Sequence, residues 1–472
     1  MLFLFVFLSL NLLSQLLLPT PRAKNIAMLI FSLIFYSWAG PKYLLLLLAV
    51  VFICWFGALL ISIYRKKKPR QLILGVTVAL CLLILGFFKY TGFFLENIQN
   101  LFGVPEVIPN IVLPIGISFY TFQLISYVVD VYREDVPVQR SFWLLLLYAS
   151  LFHQCIAGPI VRYKTVEQDI LTRKTTRAEI STGISRFTVG LAKKALLANG
   201  CAVIADSLLE GGAEALSTLP AAGIILGVFA FTLQLYLDFS AYSDMAIGMG
   251  LMCGFHYKEN FNYPYTADSI VDFWRRWHIS LSSFFRDYVY IPLGGSRCGK
   301  GRQLFNLAVV WFLTGMWHGA SWNFILWGVY YGLLIAIERF VWRDHLYAIP
   351  GAIRHVFVLI LVMFGWTLFK FTDLSQLTIA VKGLFGLNQN GFYSISVGLT
   401  LKNNIFFLIF CTIAVTPLGK TLRTILQNLS RRGGAAFWVY SAWEIVHPAL
   451  LLILSAMALV GSSYNPFLYF QF

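Results

Sequence analysis

Apolar residues run through long stretches of this chain with few interruptions, and charged residues gather in the short segments between them. The runs Tyr43 to Tyr64, Leu72 to Phe88 and Ala221 to Leu237 approach or exceed the ~18 apolar residues that mark a bilayer-spanning helix. On this pattern spans are expected at 1–18, 25–40, 43–64, 71–95, 113–130, 185–208, 220–240, 353–370, 404–418 and 447–464. The fold class that follows is an all-α polytopic membrane protein. Met1 to Leu18 is as apolar as a signal peptide but has no basic leader, its first positive charges being Arg22 and Lys24, so it reads as a retained first helix.

Three stretches do not read as simple crossings. Residues 142–160 are apolar but short and end in Phe152-His153-Gln154-Cys155-Ile156-Ala157-Gly158-Pro159, which suggests a re-entrant or in-plane element. Residues 255–303 are polar, aromatic and basic, an amphipathic segment expected on the cytoplasmic side. Residues 304–338 hold two apolar runs, 304–317 and 324–337, joined by His318-Gly319-Ala320-Ser321-Trp322-Asn323. At 1.5 Å per residue each run covers about 21 Å of a ~30 Å hydrocarbon core, so a broken or re-entrant segment is expected. Irregular backbone at that depth is tolerated only where it is buried in protein or lines a cavity, which places His318 against one. No internal repeat and no Gly/Ser-rich or Pro-rich linker is visible, so residues 1–472 are read as a single membrane domain.

Composition agrees: 58% of the residues are hydrophobic, 17% aromatic and only 12% charged, against roughly a quarter charged in soluble domains. Lys and Arg (36) outnumber Asp and Glu (21), but in a membrane protein this excess marks cytoplasmic loops and not a nucleic-acid surface. Placing Arg22, Lys24 and the cluster Arg65-Lys66-Lys67-Lys68-Pro69-Arg70 in the cytoplasm puts the N-terminus outside. The seven cysteines form no C-x-x-C pair and mostly sit in apolar runs. Neither a disulfide framework nor a metal site is implied.

Candidate chemistry concentrates in the second half. From Ser269, an N-cap with Asp272 three residues on, Ile270, Phe273, Trp274, Trp277, Leu281, Phe284 and Phe285 recur at helical spacing. This predicts one amphipathic in-plane helix with His278 on its apolar face, as a core histidine or a functional one. An ionisable group between two apolar runs is costly and reads as functional by default, so His318 is the stronger candidate. Trp311, Trp317, Trp322 and Trp327 would wall its cavity, beside Asn323. An imidazole there can take a proton from an attacking hydroxyl and return it to a leaving group. On the run ending at 240, Gln234, Asp238 and Tyr242 share a helix face, and Asp238 needs a cation, for which Arg275 or Arg276 is expected. Gly294-Gly295-Ser296-Arg297-Cys298-Gly299-Lys300 has the spacing of a phosphate-binding loop, but Gly301 replaces its Ser or Thr and no strand precedes it, which rejects nucleotide hydrolysis. Arg297, Lys300, Arg275 and Arg276 remain candidates for the phosphates of a donor, against the plainer reading of a basic cytoplasmic turn.

Together these pieces resemble the membrane-bound O-acyltransferase (MBOAT) family, in its bacterial subgroup of alginate-type polysaccharide O-acetyltransferases. The resemblance rests on Leu113-Pro114-Ile115-Gly116-Ile117-Ser118-Phe119-Tyr120-Thr121-Phe122-Gln123, Val129-Asp130-Val131-Tyr132-Arg133, Ala157-Gly158-Pro159 and Asp238 to Ala246. It continues in Phe273-Trp274-Arg275-Arg276-Trp277-His278, Leu293 to Arg297, Trp317-His318-Gly319-Ala320 and the C-terminal run Asn465 to Phe470. It implies that His318 is the catalytic histidine, that His278 is the family's second polar position, and that the helices form a ring around a thinned central tunnel. The implied reaction moves an acyl group, in this subgroup acetyl, from a cytoplasmic thioester such as acetyl-CoA towards hydroxyls of an extracytoplasmic polysaccharide. That thioester would be a co-substrate and not a tightly bound cofactor. The setting implied is the bacterial cytoplasmic (inner) membrane, with a separate extracytoplasmic esterase-like partner. Two other readings stay open: a teichoic acid D-alanyl transferase fed by a carrier protein, and a secondary transporter or polymer exporter, which would also carry broken helices and buried charges.

Overall fold

The computed structural model describes residues 2–38, 40–65, 67–103, 111–342, 345 and 348–461. The C-terminal run Asn465 to Phe470 lies outside the described residues. Within them every regular element is a helix. The first half holds α1 (Leu8–Leu17, after a π-helical turn at Phe3–Phe7), α2 (Pro21–Ser37), α3 (Pro41–Ile63), α4 (Pro69–Phe102), α5 (Ile117–Arg133), α6 (Phe142–Ser150), α7 (Tyr163–Thr172), α8 (Arg177–Ala192), α9 (Asn199–Leu209) and α10 (Gly212–Thr218). The second holds α11 (Ala221–Met252), α12 (Ile270–Arg276), α13 (Ile279–Phe285), α14 (Lys300–His318), α15 (Trp322–Ile337), α16 (Gly351–Lys370), α17 (Leu374–Leu384), α18 (Ile395–Ala414), α19 (Leu418–Ser430) and α20 (Ala435–Val460). Eight helices among the described residues are long and apolar enough to cross a membrane. The chain is an all-α, multi-pass membrane protein.

Several boundaries differ from the hydrophobic profile, each for a physical reason. α11 continues to Met252, past the end expected near 240, because its carboxylates are neutralised: Asp238 lies 2.6 Å from Lys194 and Asp244 lies 2.7 Å from Lys193. α18 starts at Ile395 and not near 404, because Ser394 caps it through the N–H of Val397 and the polar residues Lys402 and Asn403 sit on an exposed face. α14 has 19 residues, about 28 Å at helical rise, and α15 is prolonged by a π-helical turn to Trp342. Both therefore exceed the 14-residue apolar runs seen in the sequence, because Lys300 to Gln303 and Glu338 to Trp342 are helical although polar or mixed. The helix expected to run unbroken past His278 stops at Arg276 and restarts at Ile279.

The chain packs as two compact units. The first comprises residues 1–187 and 245–259. Arg65 and Arg70 pair with Glu134 there, joining the ends of α3 and α5 to the start of α4. After α6 the chain runs as fully buried coil from Leu151 to Val161, and the Tyr257 hydroxyl meets His153 Nδ1 at 2.7 Å. On its surface His256 lies between Asp169 (3.1 Å) and Glu179 (3.0 Å).

The second unit comprises residues 188–244 and 260–472. Its centre is the antiparallel hairpin of α14 and α15, in which the backbones approach so closely that a Cβ on Gly315 would lie 2.4 Å from the Phe324 carbonyl, and one on Gly328 2.4 Å from that of Trp311. Only glycine permits that approach. It brings Trp311, Phe324, Trp327 and Tyr331 into one core with Trp274, Trp277 and Trp366.

The hydrogen bond to Glu179, and then Asp169, raises the His256 pKa against a smaller opposing effect of burial. A raised folded-state pKa means that this clamp contributes fully below the unfolded value of about 6.5 and is lost as pH rises through the folded value. Amide exchange of the segment joining α7 to α8, corrected for intrinsic rates, should therefore be slower in the wild type than in His256→Gln near pH 6 and equal near pH 9. A difference that persists at high pH would show that the imidazole acts without its charge.

Candidate active site

The site is built on a helix too short to stand alone. α12 has seven residues, and an isolated helix of that length is unstable in water. Its free N–H groups are met from two sides. The Ser269 hydroxyl accepts from Asp272 N at 3.0 Å, and the buried Glu338 carboxylate at the end of α15 accepts from Ile270 N at 2.7 Å and Val271 N at 3.3 Å. Ile270, Phe273 and Trp274 then bury its inner face.

At Trp277 the backbone becomes extended, and at His278 it turns left-handed, with φ 43° and ψ 55°. For a residue with a Cβ this costs roughly 1–2 kcal/mol. The turn is pinned by the loop at 260–262: Ile279 N donates to Asn260 O and Asn262 N to Arg276 O, both at 2.9 Å. His278 therefore does not continue the face of Trp274, but leaves the chain at a hinge between α12 and α13.

The Asn260 side chain then fixes the state of that histidine. Its Oδ1 accepts the backbone N–H of Ser280 at 3.2 Å and the Ser280 hydroxyl at 2.8 Å, while its Nδ2 donates to Ser243 Oγ at 3.1 Å. Because Oδ1 faces a backbone donor, it can only accept. His278 Nδ1, 3.1 Å away, must be the protonated ring nitrogen. The lone pair sits on Nε2, which is buried and has no hydrogen-bond partner among the described residues. Burial pushes the His278 pKa down to about 3, so the ring is neutral and Nε2 is an acceptor at physiological pH.

The two candidate histidines meet through one indole. The Trp317 ring lies 5.7 Å from that of His278 and 5.0 Å from that of His318. His318 is the last residue of α14, partly exposed, with its ring edge-on to Trp327 (5.0 Å) and Phe369 (5.2 Å). Trp274 extends the aromatic wall, edge-on to Trp311 at 4.7 Å and Tyr331 at 4.8 Å. The indole N–H groups of Trp274 and Trp327 and the Tyr331 hydroxyl are buried without a hydrogen-bond partner among the described residues. The region thus combines one accepting ring nitrogen, a second histidine and spare donors in apolar surroundings. Such a setting can accept a proton and orient a polar group while excluding bulk water.

The other candidates divide. Trp322, the first residue of α15, is about half exposed (48%). Asn323 is buried, but its amide donates to the Leu368 and Phe369 carbonyls at 3.2 and 3.1 Å, holding the last turn of α16. The cation at Asp238 is Lys194 and not Arg275 or Arg276; Arg276 pairs with Asp272 at 2.9 Å and donates to Thr266. Tyr242 is half-buried one turn beyond Asp238. Arg275, Arg297 and Lys300 are exposed, Arg297 in the turn before α14 and Lys300 at its first residue. Asn260, Glu338, Lys194 and Phe369 were not singled out from the sequence. Glu338 had a faint signal as a carboxylate at the end of an apolar run; Asn260, 18 residues before His278, had none.

Replacing Glu338 by Ala leaves two helix N–H groups without their acceptor and should destabilise the protein by about 1–3 kcal/mol. Gln, which keeps one acceptor oxygen, should cost less. Thermal unfolding of the two variants in detergent checks the order; equal midpoints for wild type and Glu338→Ala would remove Glu338 from the account.

Comparison with known proteins agrees with this architecture. The profile described as "MBOAT, membrane-bound O-acyltransferase family" matches residues 136–369, which include both histidines. The chain is 37% identical to a probable alginate O-acetylase AlgI of Azotobacter vinelandii, over 100% of this chain and 99% of that protein. It is 31% identical to a peptidoglycan O-acetyltransferase of Helicobacter pylori, over 100% of this chain and 96% of that protein. A teichoic acid D-alanyltransferase of Bacillus subtilis is 29% identical over 56% of this chain and 68% of its own length. An all-helical multi-pass chain, matched from end to end by the first two of these relatives, belongs to the membrane-bound O-acyltransferase family.

Proposed function

We propose that this chain moves an acetyl group from acetyl-CoA on the cytoplasmic side to hydroxyls of an extracytoplasmic polysaccharide. The observation that carries the reading is the pair of histidines packed against Trp317, one holding a buried unprotonated nitrogen and the other partly open at a helix end. His318 serves as general base: it takes the proton of the attacking hydroxyl while oxygen bonds to the thioester carbonyl carbon, and returns it to the sulfur as the C–S bond breaks. His278, neutral and held by Asn260, offers Nε2 as an acceptor that keeps the hydroxyl in line. The aromatic surroundings keep water from the thioester. Arg275, Arg297 and Lys300, exposed on the basic side, suit the phosphates of coenzyme A.

The names of the full-length relatives, alginate and peptidoglycan O-acetylating proteins, favour acetyl as the group and a polysaccharide as the acceptor. The cytoplasmic membrane is the compartment where a cytoplasmic thioester and an external glycan are both within reach. Where the hydroxyl attacking at His318 is not the polymer's own, a separate esterase-like protein outside the membrane would take the acetyl ester formed there on to the polymer.

The test is the O-acetyl content of surface glycans from cells expressing wild type, His318→Ala and His278→Ala at matched membrane levels. Loss of a general base costs about 10²–10⁴-fold, so His318→Ala should abolish detectable O-acetylation and His278→Ala should reduce it severely. D-alanyl ester in place of acetate would assign the alternative donor. Unchanged acetylation in both variants would reject the site and return transport as the leading reading.

A further inference from the structure

α19 carries a feature that acyl transfer does not use. Leu418, Leu422, Ile425, Leu426 and Leu429 lie at helical spacing, which at about 100° per residue gathers them within roughly a 100° arc. Lys420 and Arg431 fall on the opposite side by the same geometry. These five apolar residues are 41–51% exposed, so among the described residues nothing buries this face. The neighbouring α20 contacts a different face, marked by the Arg423–Glu444 ion pair at 2.8 Å and by buried Ser430. An exposed leucine face on a helix needs an apolar solvent.

Position says which solvent. α18 ends three residues before α19, and α20 begins four residues after it. Both neighbours are long and apolar enough to span, so α19 is tethered at the bilayer surface. The first turns of α20 carry exposed Trp438 and Trp443 with half-buried Tyr440, the residues that settle at the headgroup level. The side follows from the path of the chain. Arg354 at the start of α16 pairs with Asp268, beside the basic 268–303 segment. α16 crosses, α17 with 11 residues does not, and α18 crosses back. α19 therefore lies on the same side as Arg275, Arg297, Lys300 and Arg302, the cytoplasmic side by the excess of basic residues.

We infer that α19 is an interfacial helix that seats its leucine face in the cytoplasmic leaflet and binds anionic phospholipid headgroups through Lys420 and Arg431. A surface basic residue near such a leaflet is worth about a five-fold change in lipid association, so the pair should make α19 prefer anionic over zwitterionic bilayers by roughly ten-fold or more. Arg423 is held by Glu444 and adds less.

The experiment uses the full-length protein, one copy per nanodisc, in phosphatidylcholine alone, in phosphatidylcholine containing about one third phosphatidylglycerol, and in phosphatidylcholine with added inorganic phosphate. The readout is amide exchange of residues 418–430. Exchange should be several-fold slower in the phosphatidylglycerol discs, and phosphate should leave the phosphatidylcholine rate unchanged. The double variant K420Q/R431Q should lose the phosphatidylglycerol effect while peptides of α18 and α20 exchange as in the wild type, which shows that the fold is intact. Equal rates in the two bilayers, slowing by phosphate alone, or an undiminished effect in the variant would each overturn the inference. So would protection that appears only in discs holding two copies, which would assign the leucine face to self-association.

Discussion

The structure of the site depends on one hydrogen bond, from His278 Nδ1–H to the side-chain oxygen of Asn260. The backbone N–H of Ser280 on the same oxygen leaves no choice of orientation for the amide, and hence none for the tautomer of the ring. The left-handed turn at His278 opposes the fold by roughly 1–2 kcal/mol, and the backbone hydrogen bonds from the 260–262 loop hold it in place. Strain of this kind persists where the surroundings over-determine it, and it is here that an unpaired ring nitrogen is presented in a buried site.

Around this bond the remaining architecture supplies walls and anchors. The close packing of α14 on α15, permitted by Gly315 and Gly328, sets Trp311 and Trp327 where Trp274 can pack edge-on against both. Glu338 at the far end of the same hairpin ties down the start of α12. Both ends of the segment 270–279 are thus fixed by groups outside it. His318, at the end of α14, is built differently: aromatic rings surround it, but it stays partly open. That contrast suits the proposed division of labour, in which one histidine exchanges protons and the other positions.

Much of this was legible in the sequence, and what was not shares a cause. The multi-pass helical fold follows from apolar runs, and the place of His318 at a helix break from its position between two of them. The family resemblance rested on motifs, and it drew attention to His278 where helical spacing alone left it ambiguous. Expectations failed where one segment is completed by another distant in sequence. The profile ended α11 at its carboxylates because it could not register Lys193 and Lys194. It ran a helix through His278 because the periodicity of 270–285 is good, whereas the break is imposed by loop residues 260–262. Trp322 and Asn323 follow His318 closely, yet the first stays half exposed and the second is buried and holds α16.

The most direct test of this account is the acyl-transfer activity of the reconstituted full-length protein with Asn260→Ala and Asn260→Asp. Misplacing a group that orients the reactants by about 1 Å costs about 10²-fold. Asn260→Ala should therefore lose activity on that scale at unchanged membrane abundance and unchanged KM for the thioester, and Asn260→Asp, which keeps an oxygen acceptor, should recover part of it. Wild-type turnover in Asn260→Ala would contradict the claim that the fixed tautomer of His278 is what the site is built to hold.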